Sequence, residues 1–396
     1  MKIVAFVGET FELHEGSYYA KPTSAAFLQD TIGNDSVFVC SPSKKANTKP
    51  ISYSTVVDES HFYSFPSYSS TKDFAIKSIF NRNYIKQYKA TADKVIAEHS
   101  GAYFWLRTPS IGSILFGLQA LKAGEKVLHH MCANASNTWR DPKYTLPEKI
   151  FGFLFSRYLR FKLSQICKHY NTINLCTGDV LESFSRKYSP KNTHQFVDLM
   201  AKTPQLSSEE KGDNSGVLNL LFVGRIVDDK GIFDLIAVVN QLQAKVKLTI
   251  IGDGPDLEKA QQKVKALNLE GNIQFTGQLP HQALSEYFDR ASVIVVPSNN
   301  HYEGFPRVIM EGWAHKKPVI VSQVGGVKAF VKNAENGLIF TPGNQSELLI
   351  ALESLLKDDE LLKRLGKGAE KMAKYSNQAY WVEYLKNILE EDTREA

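Results

Sequence analysis

Five short, largely apolar runs in the second half of the chain alternate with segments of helical period. The runs are Leu218–Gly224, Val246–Ile251, Ile273–Thr276, Ser292–Pro297 and Pro318–Ser322. The helical segments between them are Ile232–Leu242, Asp256–Asn268, His281–Ala291 and Pro306–His315. A strand without polar alternation is buried on both faces, and a helix after each strand provides the crossover that a parallel sheet needs. The first half repeats the pattern less cleanly. Lys2–Val7, Ser36–Cys40, Lys94–Ala97, Tyr103–Leu106, Lys126–His130 and Thr172–Cys176 read as strands, and Ser110–Lys122 and Pro147–Lys168 as helices. Residues 41–72, rich in Ser, Tyr and Pro, take no clear assignment. The polar stretch Ala201–Gly216 reads as a linker, dividing the chain into two doubly wound α/β domains at 1–205 and 206–375. Ligands of such sheets bind at the carboxyl ends of the strands, so a cleft between the two sets of strand ends is expected.

Composition narrows the class. With 43% apolar and 22% charged residues, the chain is neither disordered nor collagenous. No apolar stretch approaches the roughly 18 residues of a membrane span. The N-terminus reads as a buried first strand, and a cytoplasmic protein is expected. Cys40, Cys132, Cys167 and Cys176 form no CxxC pair and read as buried thiols. Residues 1–200 carry 24 Lys and Arg against 16 Asp and Glu, a balance of +8, while the remainder (23 against 26) stands at −3. The first half is therefore the one expected to meet an anionic partner.

The polar residues after the strands carry the chemistry. Gly224-Arg225 ends the first strand, and Lys230-Gly231 opens the next helix. Two cations at a helix N-terminus suit a diphosphate, although two solvated side chains in a βα loop would look the same. Gly252-Asp253-Gly254-Pro255 begins like a dinucleotide fingerprint, but Leu257 replaces its last glycine, which favours a tight turn. Glu303 lies in the loop after the Ser292–Pro297 strand, and Glu311 follows eight residues later in the next helix. Such carboxylates can grip the hydroxyls of an extended polar ligand, or merely cap and solvate a helix.

The ordered set GR-x4-KG, GDGP, F-x-G (Phe275, Gly277), PS and E-x7-E resembles the retaining GT-B glycosyltransferases, specifically glycosyltransferase family 4 and its polysaccharide-assembling branch. It spans Leu218 to Lys357. The resemblance implies a GT-B fold of two Rossmann-like domains facing across a cleft, with the helix at 376–396 crossing back onto the first. It implies a sugar transferred from a UDP- or GDP-sugar to an oligosaccharide or lipid-linked acceptor in cell-surface polysaccharide synthesis. Arg225 and Lys230 would hold the donor diphosphate beside Gly224 and Gly254. Glu303 would meet the sugar hydroxyls, the N–H groups of Gly304 and Phe305 the sugar–phosphate region, Glu311 the ribose, and Gln278 and Leu279 the base. No DxD occurs, so no metal and no other cofactor is expected, the nucleotide sugar being a co-substrate.

The first domain departs from the family pattern. In place of a Gly-Gly loop after the first strand stands Gly8–Ser17 with a single Gly16, which the resemblance places near the phosphates. One of His129 and His130 would face the cleft, since neighbouring strand residues point to opposite faces, and His130 is the catalytic candidate. Arg107 in R-x-P-S would meet either acceptor phosphate or a structural carboxylate. In the helix at 149–168, Ser156, Arg157, Arg160, Ser164 and Lys168 form one stripe, and Phe151, Leu154, Phe155, Tyr158, Leu159, Phe161 and Leu163 cover the rest. This suits peripheral contact with an anionic membrane, at the inner face of the plasma membrane, or a core helix with one solvated edge. No nucleic-acid partner is expected. Two rival classes share the architecture: a non-hydrolysing sugar-nucleotide epimerase and a non-catalytic nucleotide- or glycan-binding relative. The order of the motifs argues against the first, and the intact Arg225, Lys230, Glu303 and Glu311 against the second.

Overall fold

The Ile3-Val4-Ala5-Phe6 run is fully buried and forms the first strand of a computed structural model. The structure describes residues 1–21, 24–50, 53, 55–68, 70–134, 136–140, 144–200, 216–280, 283–300 and 302–395. The chain divides into two compact units, residues 1–200 with 381–396, and residues 201–380. The expected linker lies, save for Gly216, outside the described residues.

In the first unit the strands are β1 (Ile3–Phe6), β2 (Phe11–His14), β3 (Ser17–Ala20), β4 (Val37–Lys45), β5 (Thr55–Asp58), β6 (Phe62–Phe65), β7 (Tyr103–Thr108), β8 (Lys126–Met131), β9 (Thr172–Cys176) and β10 (Thr193–Gln195). They pair in the order β10-β9-β8-β7-β1-β4-β2-β3-β5, with β6 added on β4. The run from β10 to β4 is parallel, whereas β3 pairs antiparallel with β2 and β5. The stretch without assignment at 41–72 thus holds the outer end of β4, two further strands and a helix start. Gly16 lies at the tip of the β2–β3 hairpin, and Gly8 stands two residues after the end of β1. One expectation needs correcting here. Lys94–Ala97 is not a strand, because Tyr84, Tyr88, Ala92, Val95 and Ile96 recur at helical spacing and bury one face of a 17-residue helix.

The helices of this unit are α1 (Ser24–Ile32), α2 (Thr71–Phe80), α3 (Arg82–Glu98), α4 (Ile111–Lys122), α5 (Leu146–Cys167) and α6 (Asp179–Arg186). The start of α5 is fixed by a capping box between Thr145 and Glu148 and by Pro147 in its first turn.

The second unit is a six-stranded parallel sheet, β13-β12-β11-β14-β15-β16. Its strands are β11 (Leu218–Val223), β12 (Val246–Ile251), β13 (Ile273–Gly277), β14 (Val293–Val296), β15 (Val319–Ser322) and β16 (Gly337–Phe340). Helices α7 (Ile232–Leu242), α8 (Leu257–Ala266), α9 (Leu284–Arg290), α10 (Val308–Ala314), α11 (Gln345–Lys357) and α12 (Asp359–Met372) cover it. No helix among the described residues is long and apolar enough to cross a membrane.

The last helix, α13 (Gln378–Glu395), packs on the first unit. Trp381, 2% exposed, stands edge-on to Phe196 at 5.8 Å, and Lys126 and Tyr103 both reach Asp392. Removing a buried indole leaves a cavity that costs about 3–5 kcal/mol. Trp381→Ala should therefore lower the thermal transition of the first unit by roughly 10 °C. A melt followed by calorimetry should show the transition of the second unit unmoved.

Candidate functional site

The carboxyl ends of β11 and β14 bring four of the expected residues around one cavity of about 180 Å³. Gly224 and Arg225 follow β11, Lys230 ends the next turn, and Glu303 comes from the loop after β14. Arg307, which the sequence reading did not single out, lines the same space. Lys230 Nζ lies 2.6 Å from Glu303 Oε2, with the side chains only 21% and 14% exposed. Two residues expected to hold different parts of a ligand are thus paired with each other.

A second layer holds Glu303. Asn300 is buried; its Nδ2 donates to Glu303 Oε2 at 2.8 Å, and its Oδ1 accepts from the Glu303 and Tyr302 N–H groups at 2.9 and 3.2 Å. The Tyr302 hydroxyl donates to the Asp229 carboxylate at 3.2–3.3 Å and accepts from Arg225 Nη2 at 3.5 Å. Burial, together with Asp229 and Glu303 nearby, pushes this phenol up to about 12, so it remains a donor at neutral pH. The loop backbone is held from below, where Gly326 N–H donates to the Gly304 carbonyl at 2.5 Å. Phe305 is buried and anchors the loop against Phe330, ring centroids 5.0 Å apart.

The other expected residues lie around this centre. Gly254 belongs to the tight turn that the missing last glycine favours, since a Cβ there would stand 2.2 Å from the Ile226 carbonyl oxygen. Glu311 is half-buried in the first turn of α10, and Gln278 (exposed) and Leu279 follow β13. None of these is among the residues lining the cavity. Asn300, Tyr302, Asp229 and Gly325 carry no recognisable local pattern, and their roles appear only through the fold.

In the first unit the histidine expectation is corrected, because both side chains are fully buried. Strand β8 lies inside the sheet, covered on both faces, so alternation sends each ring into a different part of the core. His129 bonds Thr108 Oγ1 at 3.0 Å and Asn174 Oδ1 at 3.1 Å, and burial drives its imidazole down to about 4. His130 bonds Thr177 Oγ1 at 3.0 Å, its ring against Trp105 and Phe196. Arg107 pairs with Glu9 at 2.8 Å, so a carboxylate is its partner here. A separate cavity of about 310 Å³ opens at the carboxyl ends of β7 and β8. Asn134, Ser136, Asp179 and Lys187 supply its polar wall, with Arg160 and Leu159 on the inner face of α5.

Comparison with known proteins places these features. Residues 205–372 match the family of glycosyl transferases group 1. An uncharacterized glycosyltransferase of Methanocaldococcus jannaschii is 33% identical over 179 residues, 45% of this chain and 50% of that protein. The lipopolysaccharide core biosynthesis glycosyltransferase LpsE of Rhizobium meliloti is 30% identical over 168 residues, 42% of this chain and 48% of that one. The chain spans about half the length of the curated relatives it matches. The crystal structure of Anabaena HepE in complex with UDP superimposes with a TM-score of 0.68 at 16% identity, covering 99% of this chain and 100% of that one.

The loop geometry makes one residue critical. At Gly325 φ is +50°, and a Cβ would stand 2.1 Å from the Glu303 carbonyl oxygen. Gly325→Ala should cost about 2–3 kcal/mol and displace the Glu303 loop. At Gly16 φ is +75° with nothing within 4 Å of a Cβ, so Gly16→Ala should cost only about 1 kcal/mol. Thermal unfolding of the two variants side by side checks the order.

Proposed function

We propose that this chain, a group 1 glycosyl transferase in its second unit and a GT-B protein in its fold, transfers a sugar from a UDP- or GDP-sugar to an oligosaccharide or lipid-linked acceptor in polysaccharide or glycoconjugate synthesis. The observation that carries the reading is the convergence of Arg225, Lys230 and Glu303 on one cavity at the strand ends. Two cations there can neutralise a diphosphate, and a fixed carboxylate can orient sugar hydroxyls. Departure of the nucleoside diphosphate would leave an electron-poor anomeric carbon. The acceptor hydroxyl would attack it from the same side, so configuration is retained, and pass its proton to the departing phosphate. Catalysis would then consist of positioning and of stabilising the leaving charge. The larger cavity in the first unit, with its mixed amide, hydroxyl and charged wall, suits the glycan of the acceptor.

With side-chain cations on the diphosphate, no essential metal is needed. Turnover with the preferred donor, found by a thermal-shift screen of UDP- and GDP-sugars, should persist in EDTA. Lys230→Ala should lower it by roughly 30- to 1000-fold, as loss of a charged contact to the reacting group does. Turnover that EDTA abolishes and magnesium restores would remove the metal-free reading.

We extend the reading to the membrane. Ile150, Phe151, Leu154, Tyr158 and Phe161 of α5 are 43–62% exposed, while Ser156, Leu159, Leu163 and Ile166 are buried. The expected polar stripe is thus turned partly inward: Ser156 and Ser164 donate to the Phe153 and Phe161 carbonyls, and Arg160 to Ser136. From residue 149 to 178 there is no Asp or Glu, and Arg157 and Lys162 lie over exposed rings. Apolar rings with basic side chains above them suit an anionic interface. The protein should sediment with phosphatidylglycerol-containing vesicles at low salt and not with phosphatidylcholine alone. Arg157→Glu with Lys162→Glu should abolish this without changing the melting temperature. Equal sedimentation of variant and parent counts against membrane contact.

A further inference from the structure

We infer that Glu303 discriminates a sugar nucleotide from the bare nucleoside diphosphate by competing with the diphosphate for Lys230, an inference that rests on the donor reading above. The 2.6 Å contact between Lys230 Nζ and Glu303 Oε2 is shorter than either bond that Asn300 makes to Glu303. The carboxylate is held from its own loop, where Asn300, 5% exposed, bonds both its side chain and its backbone N–H. Lys230 sits on a flexible four-carbon stem at the end of a short turn, and it is the partner able to swing away. A diphosphate that approaches Lys230 competes with the carboxylate for the one ammonium charge and draws it away.

The outcome then depends on what the diphosphate carries. With a sugar attached, hydroxyl groups beside the loop donate to the released carboxylate and replace the ammonium. Without a sugar, Glu303 keeps only Asn300 and stands as an anion close to another anion in a partly buried site, which is unfavourable. The other charged groups at the cavity do not remove this difference. Arg225 is exposed and contacts the Tyr302 hydroxyl, that hydroxyl holds Asp229, and Arg307 lines the wall beside Glu303. Glu303 therefore favours the loaded donor over the spent nucleotide and speeds release of the product.

The test uses the full chain, with UDP, GDP, UDP-glucose and GDP-mannose as calorimetric probes. Glu303→Gln keeps the length of the side chain and its bond with Asn300 but gives up the charge. It should bind whichever nucleoside diphosphate the parent binds about tenfold more tightly, the scale of one charged contact. The corresponding sugar nucleotide should bind no more tightly than to the parent. In a Lys230→Gln background the same change should alter nucleoside diphosphate affinity less than about twofold, because the contested partner is gone. Glu303→Met, read the same way, replaces Glu303→Gln if the latter lowers the melting temperature. Unchanged or weaker nucleoside diphosphate binding in a well-folded variant overturns the inference. So does an equal gain in the Lys230→Gln background, which would reflect bulk charge alone. A parent that binds neither UDP nor GDP removes the donor reading and this inference together, whereas binding without the tenfold gain removes this inference only.

Discussion

A parallel sheet covered by helices on both faces leaves polar chemistry nowhere to go except the ends of its strands. In the second unit β14 and β15 are buried at every residue, as are the inward positions of β11 and β12. Gly224, Arg225, Ser298 and Asn300 all stand just beyond the end of a strand. The same constraint operates in the first unit, where β1 and β9 are wholly buried and β8 nearly so. It explains why two adjacent histidines in β8 can be equally inaccessible, each bonded to a threonine hydroxyl inside the core.

The second unit was legible because its strands and helices repeat one local rule. Ile232–Leu242 is a helix over the residues read from its period, and the βα turns carry their glycines where strands stop. The first unit was less legible where pairing is not local. The outer half of β4 runs as far as Lys45 because β2 on one side and β6 on the other supply partners, and the sequence of β4 alone shows no reason to continue past Cys40. The Lys94–Ala97 error has a similar origin. A few apolar residues fit either period, and only the spacing back to Tyr84 and Tyr88 decides for a helix.

The candidate site divides in the same way. Arg225, Lys230 and Glu303 are recognisable because each occupies a fixed place after a strand, so a linear motif carries them. Asn300, Tyr302 and Asp229 act by bonding to those residues across the fold, and Gly325 acts by leaving room for a carbonyl 22 positions earlier. Motifs record the groups placed to meet a ligand. The groups that hold them in place are set by three-dimensional packing, and their side chains are ordinary in the sequence.

Helix α5 shows how composition alone leaves the assignment of faces open. Serine and arginine look solvated and phenylalanine looks buried when only polarity is weighed. Yet a serine can satisfy its hydroxyl on the carbonyl three residues back, as Ser156 and Ser164 do, and then packs as a small residue against the core. Arg160 finds Ser136 and the Phe184 ring on the inner side. Once the small residues have taken the inner face, the larger rings at 151, 158 and 161 are left outside. Helix geometry leaves no third option, since 3.6 residues per turn puts these rings opposite Ser156 and Leu163. The exposed aromatic face is thus a consequence of how the inner face is packed, and Arg157 and Lys162 keep their charges in reach of water while their stems cover part of its rings.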